Sequence, residues 1–248
     1  MFAATGRSRN AHASCQLVRF AWSVLAYNLV VIAWGAFVRA SGAGAGCGAH
    51  WPLCNGEGLP RLRSSATIIG ATHRATSGIA LVVVIALMVW TLRSLPRGHR
   101  ARRASVASTV FVLGEALVGA GLVLFELVAQ DASMKRGLSM VLHLGNTFLL
   151  LAALAVTAWT LTADGIEGRA NVAVRSPPST DVVGSHPVSR SVRLVVGASL
   201  AAMLLLGSSG AIAALGDTLF PAASLREGLL HDVSPLAHVF LRLRILHP

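Results

Sequence analysis

His73 and His143 each lie in a stretch otherwise dominated by apolar residues, Thr67 to Leu92 and Gly137 to Ala163. An ionisable side chain in a membrane-spanning stretch is expensive and marks a functional site by default. Counted from the outer ends of these stretches, each histidine is about six residues in, or roughly 9 Å deep at the helical rise per residue. Both stretches run inward, so the two imidazoles share a depth. Two facing imidazoles at one level of a helix bundle suit the axial coordination of a haem iron. The plainer alternative is that each ring hydrogen-bonds a neighbouring helix. Zinc suits the pair less, because neither Cys nor carboxylate is expected at that depth to complete a tetrahedral set. Haem propionates need cationic partners. Arg39, Arg61, Arg63 and Arg74 cluster at the same outer end, where arginine pairs well with carboxylates; lipid headgroups are the alternative partners of Arg61 and Arg63. Cys47 and Cys54 flank Gly-Ala-His-Trp-Pro-Leu in the loop before His73. In an oxidising compartment they read either as a structural disulfide or as a redox-active pair, and their spacing does not choose. Cys15, on the opposite side, is expected to be a free thiol.

The elements that carry these residues are hydrophobic helices. The chain has 248 residues, 54% of them hydrophobic and only 12% charged, with a mean hydropathy of +0.66, against about 25% charged in a soluble domain. Phe20 to Val38, Gly137 to Ala163 and Leu194 to Gly216 are long apolar runs, and about 20 such residues cross a bilayer. Thr67 to Leu92, with His73 and Arg74, and Ala104 to Gln130, with Glu115 and Glu126, also qualify. The fold class is therefore an all-α membrane protein: an N-terminal four-helix transmembrane bundle followed by part of a second, repeat-related bundle, with about five full spans and the start of a sixth. The net charge of +11 reads as membrane topology rather than as affinity for nucleic acid. Twelve basic residues fall on one face of this topology, among them Arg93, Arg97, Arg100, Arg102 and Arg103, and six on the other. The positive-inside rule then places the N-terminus in the cytoplasm of a multi-pass inner (plasma) membrane protein.

The expected organisation is a cytoplasmic tail over residues 1–19, a haem-binding four-helix half over 20–161, a cytoplasmic linker over 162–193 and an incomplete second half over 194–248. The linker is marked by Pro177, Pro178 and Pro187. The second half repeats the first weakly. Gly-rich Gly35 to Gly46 precedes an outer loop and His73, and Gly207 to Gly216 precedes another and His247. Such duplication is common in membrane folds. The last apolar segment reads as the start of a sixth span in a fragment, or as an interfacial helix over Leu229 to Leu246 with Arg242 and Arg244 snorkelling to the interface.

These residues together resemble the haem A synthase family of cytochrome oxidase assembly. Gly35 to Cys47 resembles the end of the family's first helix, Trp51 to Gly56 its cysteine loop, Thr72-His73-Arg74 its helix-two ligand motif, Glu115 to Leu124 its third helix, His143 to Leu151 its fourth, and Arg244 to Pro248 the start of its sixth. The resemblance implies two four-helix halves with ligand histidines on even-numbered helices, here His73, His143 and His247, in an enzyme that oxidises a ring methyl of haem O to the formyl group of haem A. Haem O or haem A would occupy the first half and haem b the completed second half. It implies haem O as substrate, a lipid surround, and contact with a haem O synthase and a membrane electron donor, in a possible homo-oligomer. One position departs from the pattern: the family places a glutamate, associated with the oxidation, three residues before the helix-two histidine, and this chain has Gly70 there. The competing readings on the same scaffold are a non-catalytic haem-binding or haem-delivery protein and a small b-type membrane cytochrome.

Overall fold

Helices begin where a polar side chain can take up the first free amides. Ser64 Oγ accepts from Thr67 N at 3.1 Å and opens one helix. His99 Nδ1 accepts from Ala101 N at 3.1 Å and opens the next. Ser189 and Ser224 do the same for Val192 N and Glu227 N. The computed structural model describes residues 3–57, 64–173, 189–244 and 247, with the side chains of 15–57, 64–163, 189–244 and 247. Its helices are α1 (Ala3–Ala40), α2 (Ser65–Ser94), α3 (Arg100–Leu124), α4 (Met134–Ala173), α5 (Arg190–Leu219), α6 (Leu225–Val233) and α7 (Val239–Arg244), with a 3-10 turn at Ala43–Ala45.

Five stretches are long and apolar enough to cross a membrane: Cys15–Ala40, Ser65–Ser94, Arg100–Leu124, Met134–Ala163 and Arg190–Leu219. The chain is an all-α membrane protein. Helix α1 packs on α2 and α4, α2 on α3, and α3 most extensively on α4, which closes a four-helix ring. Helix α5 lies outside that ring against α4, and α7 packs on α5. Leu194, Val195, Leu200, Met203 and Leu205 of α5 are exposed, as side chains bathed in lipid would be.

The apolar core fills only one end of the ring. It comprises Leu17, Ala21 and Val24 of α1, Val84 and Leu87 of α2, Ala101 and Val112 of α3, and Leu150, Leu154, Ala158 and Leu161 of α4. These residues lie in the first half of the α1 span and in the second halves of α2 and α4. The core therefore sits at the end of the bundle where the α1 span begins, and the histidine level lies towards the opposite end.

Several boundaries differ from the sequence reading. The segment read as a tail, 1–19, is helical from Ala3. Helix α4 runs to Ala173, twelve residues into the segment read as a linker, and α5 starts at Arg190; residues 174–188, with the three prolines, lie outside the described residues. The second outer loop contains α6. A single helix over Leu229 to Leu246 is not formed. The chain breaks between α6 and α7, where Ser234 is extended (φ −65°, ψ 130°) ahead of Pro235, because proline disfavours a helical residue before it. Arg242 donates to Pro235 O, and Arg244 pairs with both Asp217 and Asp232. Burial alone would lower the Arg244 pKa, but hydrogen bonds to Asp217 and Asp232, together with their charge, raise it above its ordinary value.

Candidate haem site

Beyond the apolar core, α2 and α4 each carry one histidine into the bundle. His73 is eight residues after Ser65 and His143 nine after Met134, so the rings lie roughly 12 and 14 Å along their helices. The helices start a little earlier than the sequence reading had them, and the depths remain matched.

Room for the first ring comes from α1. A Cβ placed on Gly35 would stand 2.9 Å from His73 Cε1 and 3.3 Å from Nε2. Only a residue without a side chain lets α1 approach the imidazole this closely. The second half repeats this contact: a Cβ on Gly210 would stand 3.0 Å from His247 Cε1 and 3.2 Å from Nε2. Gly46 and Gly216 form another matched pair, facing Ala66 O and Phe240 O. His247 Nδ1 is 3.0 Å from Ser209 Oγ.

Among the described residues, buried side-chain polar atoms without a hydrogen-bond partner include His73 Nδ1 and, beside Gly35, Trp34 Nε1; Arg136 Nε nearer the start of α4 and Thr91 Oγ1 far along α2 are others. Buried polar groups are normally satisfied, and unsatisfied ones call for an explanation. His143 Nδ1 lies 2.9 Å from Glu115 Oε2 but is not aligned for a hydrogen bond, so it too has no well-directed partner. The expectation that no carboxylate joins the histidines at their depth is therefore corrected: Glu115 does. Among the described residues, no group of three or more His, Cys, Asp or Glu is arranged to hold a metal ion. Two imidazoles at matched depths, a glycine opening beside one of them and an unpartnered Nδ1 on each fit a planar iron porphyrin better than a bare tetrahedral ion.

The arginines divide by role. The Arg39 carbonyl accepts from Gly42 N at 3.1 Å, but its guanidinium forms no hydrogen bond or ion pair with any described residue. Arg136, not singled out from sequence, is 5% exposed. It donates through Nη1 to Ala129 O at 2.6 Å and Asp131 O at 2.7 Å, and stands close enough to Arg39 for their charges to repel. Two guanidiniums at the same end of a bundle favour an anionic partner. Arg74, expected to hold a propionate, instead donates to His50 O at 2.6 Å, to Gly48 O at 3.2 Å and to Leu53 O. It ties down the cysteine loop. Arg61 and Arg63 lie outside the described residues.

That loop docks on the start of α2. Thr67 Oγ1 donates to Gly46 O at 2.9 Å, and a Cβ on Gly46 would fall 2.2 Å from Ala66 O. Cys47 and Cys54 are buried with their sulfurs 1.99 Å apart. Gly70 faces this pair: a Cβ there would stand 3.4 Å from Cys47 Sγ and 3.5 Å from Ala43 O. Three further histidines serve local structure: His99 caps α3, His231 lies 3.9 Å from Glu227, and His238 packs between Phe220 and Phe240.

Residues 18–242 match the COX15-CtaA family, described as cytochrome oxidase assembly protein. A protoheme IX farnesyltransferase of Thermus thermophilus is 44% identical over 236 residues, which is 94% of this chain and 36% of that protein. A heme A synthase of Alkalihalophilus pseudofirmus is 34% identical over 139 residues, covering 56% of this chain and 44% of its own length. A heme A synthase of Bacillus licheniformis is 38% identical over 113 residues, covering 46% of this chain and 37% of its own length. The chain thus spans less than half the length of each of these relatives. No solved structure matches it significantly. With a match running from α1 into α7, the chain belongs to the COX15-CtaA family of cytochrome oxidase assembly proteins.

Proposed function

We propose that this chain is a haem A synthase-type oxidoreductase that takes haem O as substrate and carries out, in the longer or assembled enzyme, the oxidation of a ring methyl to a formyl group. The observation that carries the reading is that His73 and His143 stand at matched depths on α2 and α4, past the apolar core cluster, with Gly35 of α1 leaving room against the His73 ring. His73 and His143 would be the axial ligands, and Arg39 and Arg136 would receive the propionates. The bound iron porphyrin supplies the redox chemistry, and the protein supplies position, electrostatics and exclusion of water. His247, set against Gly210 as His73 is against Gly35, would provide one ligand of a second haem, of b type, that relays electrons from a membrane donor. Cys47 and Cys54 would form a disulfide, facing the oxidising side if the N-terminus is cytoplasmic. A haem O synthase is the natural supplier of the substrate; the relative named protoheme IX farnesyltransferase supports a place in the same haem chemistry.

Gly70 favours a second reading. Where the resembling family carries a carboxylate, this chain has none, and the position points at the cysteine pair rather than at open space. A non-catalytic haem-binding or haem-delivery protein would tolerate that change.

The porphyrin extracted from protein made in a host that synthesises haem O tests the choice. Haem O or haem A in the extract supports the oxidoreductase. Haem b alone would overturn it and favour the delivery protein or a small b-type cytochrome.

A further inference from the structure

The geometry points to Glu115 as the positioning residue for His143, holding its Nδ1 so that Nε2 faces the iron with raised donor strength. This rests on the haem ligation proposed above. A carboxylate within a membrane span is costly and needs local compensation, and Glu115 has a dedicated set of neighbours. Asn146 Nδ2 donates to Glu115 Oε1 at 2.6 Å and to Phe111 O at 2.8 Å. Thr147 Oγ1 is 3.1 Å from the same Oε1 and 2.9 Å from His143 O, so its single proton is shared between them. Gly114 makes the arrangement sterically possible: a Cβ there would stand 2.8 Å from Asn146 Oδ1. One carboxylate oxygen is thus pinned by two side chains of α4. The other, Oε2, is left 2.9 Å from His143 Nδ1.

An acceptor at Nδ1 draws the ring proton there and leaves the Nε2 lone pair for a metal. The present N–H direction is off line, and a small ring rotation on ligation would align it. His73 has no counterpart; its buried Nδ1 is unpartnered. The two proposed axial ligands are therefore unequal, with His143 the stronger donor. A stronger, more anionic donor favours ferric over ferrous iron, so Glu115 lowers the reduction potential of the haem.

The test uses the full chain in lipid nanodiscs, titrated with ferric haem b as probe, and compares the parent with Glu115→Gln. Glutamine keeps the volume and an oxygen for Asn146 and Thr147 but removes the charge facing His143. Loss of an outer-shell partner typically costs about tenfold or more in metal affinity. If that loss falls on the ferric state, the one-electron midpoint rises by about 59 mV per tenfold. Glu115→Asp should restore part of the shift. A loaded Glu115→Gln protein with the parent potential would overturn the inference and leave Glu115 as a tie between α3 and α4, which would move stability but not potential. If Glu115→Gln does not fold or load, Thr147→Val decides. It loosens one pin on Oε1 without altering charge and should raise the potential by a smaller amount; an unchanged value overturns the inference. A parent protein that takes up no haem with a bis-histidine spectrum overturns both the inference and the ligation beneath it, whereas unchanged potentials in loaded variants overturn the inference alone.

Discussion

Replacing Gly35 by alanine adds one methyl group at the closest approach of α1 to the proposed ligand. Its Cβ would stand 2.9 Å from His73 Cε1, whereas ordinary contact begins near 3.4 Å. The ring or α1 must therefore retreat by roughly half an ångström, about the tolerance within which a metal ligand must be held. Overpacking of this kind costs about 1–3 kcal/mol. If the ring gives way, haem affinity should fall by about ten- to a hundredfold, since about 1.4 kcal/mol is tenfold. If α1 gives way, the same cost should appear as lower thermal stability of the haem-free protein. Haem titration followed in the Soret band, alongside thermal unfolding of the same preparation, separates these outcomes. Gly78→Ala on α2, where nothing lies within 4 Å of the added Cβ, is the control. A Gly35→Ala protein that matches the parent in haem affinity, spectrum and unfolding temperature would refute the claim that this glycine makes room for a ligand ring.

Other outcomes follow from the same geometry. Arg136→Leu should weaken binding of haem more than binding of its dimethyl ester, measured by the same titration, because only the free propionates need the guanidinium. Alkylation without reductant, read by mass spectrometry, should label Cys15 and spare Cys47 and Cys54; label on both would refute the disulfide. Gly46→Ala should destabilise the outer loop by about 1–3 kcal/mol through its clash with Ala66 O, seen as faster proteolysis between residues 48 and 57. Gly70→Glu should not confer haem A formation on this chain, because the new side chain would start against Cys47 Sγ; accumulation of haem A in a host lacking its own synthase would contradict that.

The spans and the histidine level were legible in the sequence because both depend on local quantities, namely runs of apolar residues and the distance of His73 and His143 from the ends of their helices. The repeat of a Gly-rich helix end followed by a loop and a histidine was visible in the sequence, but its meaning as contact of Gly35 with the His73 ring and of Gly210 with the His247 ring needed the packed helices. Glu115 was read as an interruption of the third span and as the start of the stretch resembling the family's third helix, not as a neighbour of a histidine. Hairpin arithmetic carried a signal that it faces α4: Glu115 lies nine residues before the end of α3 and His143 nine after the start of α4, so an antiparallel pair brings them level. Arg74 was assigned to a propionate on position alone, and which acceptor an arginine reaches depends on loop carbonyls that no periodicity specifies. The break before α7 was written in Ser234-Pro235, which the apolar pattern of Leu229 to Leu246 obscured.

The account stands most directly on whether one haem is held between His73 and His143. Low-temperature electron paramagnetic resonance of the ferric protein, prepared with His247→Ala so that no second site contributes, reads this in one spectrum. The parent background should give a single low-spin bis-histidine signal at one haem per chain, and adding either His73→Ala or His143→Ala should remove it. Persistence of that signal in either variant would contradict the account.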